Sequence, residues 1–287
     1  MNRHTFRIQF ITDALLGGAT PHEAGEVRVP SIRGQLRWWA RALGLGRAVE
    51  DRLFGSIAGD SGRASSVTLR VNRLALPPAS QVVSPLHQFA TVEASTLGVQ
   101  DINSGAGYLT FPLRPQRNGQ PHRRGRIPPK TTFNLEVVAP RLNAADFAQF
   151  CALVRVFVAF GSLGNRSRRV FGAMSLVGEV DAGGREILPQ KPPDLSSYPK
   201  RTVEWKLLAE RATDAAGMRE RAGNWLKPRR KELGSPLKFH AFGHAGDLPD
   251  EPRRASPIIL RPVAVPTGLQ LGLLFPKSLP TAIAAIL

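Results

Sequence analysis

The chain opens on a strict alternation. From Thr5 to Thr12, Phe6, Ile8 and Phe10 alternate with Arg7 and Gln9, which predicts a strand with one face on a core and one in water. Asp13 to Pro30 is rich in Gly and Pro and reads as a loop. Ser31 is placed to cap a helix that runs to about Leu43, with Gly44 as its stop. Ile32, Leu36, Trp39 and Leu43 make one apolar face along it. Val67, Leu69 and Val71 alternate with Thr68, Arg70 and Asn72, predicting a second strand over 66–76. Residues 77–130 are poor in pattern apart from a short Tyr108–Phe111 segment, and a stretch of that length is usually functional or mobile. A third strand follows over 131–138, with Phe133, Leu135 and Val137 on one side. Asn143 and Asp146 begin a helix over 144–160 that is apolar nearly all round and should lie in the core, and Gly161 ends it. A fourth strand is predicted over 171–180.

The order strand, helix, strand, strand, helix, strand predicts an α+β fold of the ferredoxin-like (RRM-like) βαββαβ type. Both helices would then cover one face of a four-stranded antiparallel sheet. The expected domain is 1–184 with a long insertion at about 77–130. Beyond a Pro/Gly-rich linker over 182–200, a helix over about 213–231 and strands over 256–263 and 268–275 predict a smaller α+β part, 185–287.

Composition narrows the function. The 287 residues suffice for one large domain or two small ones, each with a sizeable core. No apolar run reaches the roughly 18 residues of a membrane helix, and Met1 to Thr12 holds no apolar signal-peptide core, so a cytoplasmic protein is expected. The single cysteine, Cys151, makes no internal disulfide and no cysteine-built zinc site. The 39 Lys+Arg stand against 22 Asp+Glu, a formal net charge of +17. Such an excess repels itself in the compact state unless a polyanion neutralises it, and nucleic acid is the first candidate. An anionic membrane would ordinarily be met by a basic amphipathic helix near a terminus, and none is visible.

Two motifs carry candidate chemistry. Gly161-Ser-Leu-Gly164-Asn165-Arg166-Ser167-Arg168-Arg169-Val-Phe171-Gly172 joins the core helix to the fourth strand. Its glycines allow close backbone approach, and its arginines offer forked donors that match phosphate oxygens. Phe171 is suited either to stack on a base or to pack. The other reading is an ordinary turn with solvated charges. The second motif runs from Arg28 through Ser31, Arg33, Gly34, Arg37, Trp38 and Trp39 to Arg41. Arg33, Arg37 and Arg41 form an i, i+4, i+8 stripe beside the apolar face, and the loop feeding this helix offers free N–H groups to a phosphate. Here the other reading is a surface helix with solvated arginines, with Trp39 in the core and Trp38 open to either role. Weaker basic clusters are Arg123, Arg124, Arg126 and Lys130, then Arg229 to Lys231, then Arg253 and Arg254. There is no Walker A, HExxH, GxSxG or EF-hand sequence. His240, His244 and Asp247 have a spacing seen among metal ligands, but Gly243 and Gly246 argue against a helix holding them, so no metal and no cofactor are expected. His22, beside Glu23, is the one candidate general base.

Taken together these blocks resemble the RAMP superfamily of CRISPR type III effector complexes, and within it the family of first subunits of the type III-B Cmr complex. Phe10 to Ala19 looks like the first strand and loop of that family, and Arg28 to Trp39 with Glu50 and Leu53-Phe54-Gly55-Ser56 like its signature block. Gly161 to Gly172 looks like its glycine-rich loop, and Arg253 to Pro257 like its C-terminal block. Asn165 and Val170 depart from the small residues usual there. The resemblance implies a ferredoxin-like, non-catalytic RNA-binding subunit lying towards the guide 3′ end. Its implied partners are guide RNA (crRNA), target RNA and other RAMP subunits, with no membrane partner. The implied RNA-binding residues are Arg28, Ser31, Arg33, Gly34, Arg37, Trp38, Arg41, Gly161, Gly164, Asn165, Arg166, Ser167, Arg168, Arg169, Phe171 and Gly172. The rivals are a RAMP endoribonuclease that processes precursor RNA with His22, one that cuts target RNA with a loop carboxylate such as Asp13 or Asp101, and a scaffold for an acidic protein.

Overall fold

The computed structural model of the chain describes residues 1–18, 24–58, 61–77, 91–95, 103–113, 124–233, 241–243 and 255–287. Along the chain these form β1 (Arg3–Phe10), β2 (Ala14–Leu15), β3 (Ala24–Glu26), α1 (Val29–Ala42), α2 (Arg47–Phe54), β4 (Ser56–Ala58), β5 (Ser61–Arg63), β6 (Thr68–Ala75) and β7 (Thr91–Ser95). There follow α3 (Gly105–Thr110), β8 (Arg124–Ile127), β9 (Thr132–Val138), α4 (Ala144–Phe160), β10 (Met174–Val180) and β11 (Glu186–Ile187). The last elements are β12 (Val203–Ala212), α5 (Ala215–Glu232), β13 (Ile259–Val265) and β14 (Gly268–Pro276), with a short helical turn at Thr281–Ala284. The chain divides into two compact units. One comprises Met1–Ser95, Arg123–Asn165 and Phe171–Arg201; the other comprises Thr96–His122, Arg166–Val170 and Thr202–Leu287.

In the first unit the central sheet has the order β11-β10-β1-β9-β6, with every neighbouring pair antiparallel. The alternation read in the sequence sorts its faces. Phe6, Ile8 and Phe10 of β1 and Phe133, Leu135 and Val137 of β9 are fully buried. They share the core with Ile32, Leu36 and Trp39 of α1 and Phe150, Val154 and Phe157 of α4. Burying each such side chain contributes roughly 1.5–3 kcal/mol. α4 starts where Asn143 accepts a bond from the Asp146 N–H at 2.8 Å, and Asp146 itself sits in the first turn. α1 begins earlier than expected: Arg28 occupies the N-cap position without a side-chain bond, and Ser31 lies inside the helix. Pro30 explains the shift, because its fixed φ suits a first turn and its missing N–H costs nothing there. α2 was not expected from the pattern. The 77–130 stretch holds more structure than its weak pattern suggested: β7, α3, a 3-10 turn at Phe111–Leu113 and β8. β2, β8, β7 and β3 make a second small sheet in that order. The fourth strand is shorter than expected, starting at Met174, and leaves Phe171 outside it.

The second unit has a three-stranded antiparallel sheet, β12-β14-β13. α5 is capped by Asp214, whose carboxylate accepts the Gly217 N–H at 2.7 Å. α3 packs against α5 so closely that a Cβ at Gly223 would strike the Gly105 backbone. β12 lies in a stretch to which the sequence pattern assigned no element.

Candidate nucleic-acid interface

Consider first the arginine stripe of α1, in the first unit. The apolar face of α1 points inward as expected: Ile32, Leu36, Trp39 and Leu43 are at most 1% exposed. The stripe beside it meets α2. Glu50 of α2 is buried, and its carboxylate accepts from Arg37 Nε at 3.0 Å and from Arg41 Nε and Nη2 at 2.7 and 2.6 Å. Arg37 Nη2 also donates to the Gly55 carbonyl at 2.8 Å, and Arg33 Nη2 reaches the Val67 carbonyl at 3.4 Å. The Arg41 hydrogen bonds, with Arg37 behind them, hold Glu50 below its ordinary 4.5 despite its burial. The same contact raises Arg41 above its ordinary value. Arg33 and Arg37 are thus drawn into internal contacts, whereas Arg41 keeps 65% of its side chain in water.

The outward line of α1 is different. Arg28, Ser31, Gly34, Trp38 and Arg41 are exposed. Trp38 stands edge-on to Trp39, with ring centroids 5.1 Å apart. Nothing lies within 4 Å of where a Cβ on Gly34 would stand. A helix-interior glycine costs about 1 kcal/mol against alanine, and no packing inside this chain requires it.

The glycine-rich loop falls into two pieces. In the first unit, Gly161 ends α4, its N–H bonded to the Phe157 carbonyl at 2.8 Å. A Cβ there would collide with Phe157 and with Trp39 Nε1, so this glycine lets the loop start against α1. Gly164 (φ 94°) and Asn165 are exposed, and the Asn165 N–H bonds the Leu15 carbonyl at 2.8 Å. Gly172 (φ 67°) donates to the Asp13 carbonyl and accepts from the Leu163 N–H. Phe171 is 1% exposed. Of the two roles left open for it, packing is the one it takes, because the turn at Gly172 folds its ring into the core.

In the second unit, Arg166, Arg168 and Arg169 donate to backbone carbonyls. Arg166 bonds the Leu109 carbonyl and Arg168 that of Ser256. Arg169 is buried and donates to the carbonyls of Arg168, Ile258 and Phe242 at 2.8–3.1 Å. The main chain joins in: Val170 N–H bonds the Leu260 carbonyl, and Leu260 N–H that of Arg168. Burial lowers Arg169 to about 9 and Arg166 to about 10, so both stay protonated at neutral pH. Arg166 and Val170 hold φ of 59° and 66°, unusual for residues with a Cβ and most of all for a β-branched one. This piece of the loop is fastened at several points, and Arg166, Ser167 and Arg168 are its half-buried members.

The remaining candidates divide simply. Asp13 is buried, and its Oδ1 bonds Arg126 Nε at 2.7 Å, so its carboxylate serves an internal pair. Cys151 is buried, and desolvation pushes its thiol up to about 12. Arg229 lies 4.1 Å over the Trp225 ring and donates to the Ile286 carbonyl. His22, Glu23, Asp101, Arg123, His240, His244, Asp247, Arg253 and Arg254 lie outside the described residues. Among the described residues no group of three His, Cys, Asp or Glu is placed to hold a metal, and no helix is long and apolar enough to cross a membrane. Sequence reasoning missed the roles of two anchors, though it had placed Glu50 in the signature block. Glu50 gathers the α1 arginines. Glu179, in β10, is buried and bonds Arg155 and His4. In each case the partners lie too far apart in sequence to be paired by spacing.

The family model of the RAMP superfamily matches residues 7–175, more than half of the chain, and the chain belongs to that superfamily. It is similar to the CRISPR system Cmr subunit Cmr1-1 of Pyrococcus furiosus (strain ATCC 43587 / DSM 3638 / JCM 8422 / Vc1), 29% identical over 181 residues. That match covers 60% of this chain and 47% of the relative, so it spans about half of the relative's length. In fold the chain is similar to the crystal structure of Cmr1 from Pyrococcus furiosus in its apo form, at a TM-score of 0.60 and 20% identity over 98% of this chain and 90% of that one. It is also similar to a chain in a cryo-EM structure of the type III-B Cmr-beta bound to cognate target RNA, at a TM-score of 0.57 and 11% identity over 100% and 98%. These findings agree with the resemblance read from the motifs, to the superfamily and to the first Cmr subunit.

Proposed function

We propose that this chain is a non-catalytic RNA-binding subunit of a type III-B CRISPR (Cmr) effector complex, contacting guide RNA or the guide–target duplex towards the guide 3′ end, in antiviral defence. Its partners in this reading are guide RNA, target RNA and other RAMP subunits. The fold name belongs to the same proposal. The first unit reads as ferredoxin-like, since its four main strands in chain order stand fourth, first, third, second across the sheet. The C-terminal part reads as a reduced α+β companion.

The observation that carries the reading is the outward line of α1. It joins an exposed tryptophan, two exposed arginines and a helix glycine with open space above it, on a chain of net charge +17. Arginines hold phosphates, a tryptophan face stacks on a base, and a glycine admits a backbone. The burial and pairing of Asp13 weaken the rival in which it cuts target RNA.

The test is RNA binding by the full chain at several salt concentrations. Arg28→Ala with Arg41→Ala should weaken binding and lower the log–log salt slope by about 0.7 for each single-strand phosphate no longer neutralised. Wild-type binding without cleavage, with or without Mg²⁺, is expected. Unchanged affinity and slope in the folded double variant would refute the site, and defined cleavage products would promote the endoribonuclease alternative.

A further inference from the structure

The outer face of the central sheet in the first unit is strongly polar, exposed along β6 and largely covered at Asn134 and Glu136 of β9. The strand registers align its side chains in rows. Arg70, Glu136, Thr5 and Val180 form one row, and Asn72, Asn134, Arg7 and Gly178 the next. A groove of about 290 Å³ runs over these rows, with Arg3, Arg7, Arg73, Asn72, Asn134 and Glu186 among its walls. Two ion pairs fix guanidinium groups at its sides: Arg3 with Glu136 at 2.7 Å and Arg7 with Glu186 at 2.9 Å. Arg70 and Arg73 are exposed on β6 beside it. Arg73 sits in a register break between Asn72 and Ala75 with φ of 51°. Four arginines thus stand against two glutamates on this face.

An open antiparallel sheet face is expected to be polar, but solvation alone does not ask for paired amides flanked by guanidinium groups. Asn72 and Asn134 are direct cross-strand partners, so their amides are neighbours and together carry four N–H donors and two acceptor oxygens. An amide of this kind makes bidentate bonds to a base edge, and single-stranded RNA is read on its exposed base edges. The two rows hold no aromatic side chain, so the surface is built for hydrogen bonding rather than stacking.

We infer that this outer sheet face is a second RNA surface, which takes a single-stranded segment with its phosphates on Arg70 and Arg73 and its base edges on the Asn72–Asn134 pair. The inference rests on the RNA-binding reading and is separable from it. Fluorescence anisotropy of the full chain with fluorescein-labelled A12, C12 and U12 RNA and with a 12-base-pair duplex tests it, with thermal unfolding as the fold control. Arg70→Ala with Arg73→Ala should weaken all three single strands by about tenfold and lower the salt slope, with a smaller effect on the duplex. Asn72→Ala with Asn134→Ala should level the affinities of the three homopolymers and leave the salt slope unchanged. If the α1 variants weaken binding while both sheet variants match wild type, the sheet surface is refuted and the RNA-binding reading stands. Wild type that binds no RNA refutes both. Equal losses on duplex and single strands overturn the single-strand assignment. A poly-glutamate peptide that binds wild type but not the arginine variant, with RNA binding unaffected, overturns it in favour of an acidic protein segment.

Discussion

The arginines of α1 and those of the glycine-rich loop are equally dense in sequence, yet their surroundings differ. On α1, Arg37 and Arg41 share one buried carboxylate, Glu50, and Arg41 keeps most of its side chain in water. In the loop, Arg166, Arg168 and Arg169 donate to carbonyls of the second unit, and Arg169 is buried. A guanidinium with a carboxylate partner at the surface can stay partly free, because its charge is met on one edge and its other donors face solvent. A buried guanidinium on carbonyls is committed, because every broken bond leaves a desolvated charge or an orphaned acceptor. Similar basic motifs therefore divide into one that holds structure and one that still faces outward.

The sharpest way to break this contrast is Arg169→Ala. It removes the guanidinium donors from the carbonyls of Arg168, Ile258 and Phe242, of which the first two keep bonds from Leu260 N–H and Ser256 Oγ, and should cost on the order of 2–4 kcal/mol of unfolding free energy, read by urea denaturation. Arg169→Lys should recover less than half of that, since an ammonium does not span the guanidinium fork. A loss below about 1 kcal/mol in Arg169→Ala would show that the loop is not fastened through this residue.

Glu50→Ala comes next, with an expected loss of about 2 kcal/mol, because it strips the shared partner from Arg37 and Arg41. The same geometry makes Arg33→Glu with Arg37→Glu destabilising, contrary to the alternative reading of α1 as a surface helix with solvated arginines. The pH dependence has a definite sign. Glu50 is depressed below its ordinary 4.5 in the folded chain. Its contribution is therefore complete above about 4.5 and is lost as pH falls through the lower folded value. The stability gap between wild type and Glu50→Gln should close over that acidic window, and a gap that is constant with pH would argue against the ion pair.

Arg41→Ala should change stability little, since its side chain is largely exposed, while weakening RNA binding. The smallest expected effect has the opposite sign. Gly34→Ala should raise stability by about 0.5–1 kcal/mol through helix propensity alone, with nothing for the new methyl to strike. RNA affinity that falls in this more stable variant would sharpen the case for close backbone approach at α1. Unchanged affinity would count against it.

Much of the first unit was legible in the sequence, since alternation and helical spacing report a core directly. Phe6, Ile8 and Phe10 named the inner face of β1, and Ile32, Leu36 and Trp39 that of α1. α2 and β12 were missed, the latter because its burial follows no simple alternation. The candidate site was legible as residue types but not as roles. Ser31 read as a cap until Pro30 moved the helix start, and Phe171 read equally as a stacking residue until the turn at Gly172 buried it.

The sequence by itself determined the order of the main elements, the faces they bury, the excess of positive charge and the family. Each of these is a local pattern or a sum over the chain, and neither needs distant residues to meet. The tertiary structure decided which arginines remain free. That depends on Glu50 reaching α1 and on Leu109, Phe242 and Ile258 offering carbonyls to the loop. The carbonyl contacts close long stretches of chain, the Glu50 contact joins two separate helices, and a guanidinium has the same sequence signature whether it faces a carboxylate, a carbonyl or water.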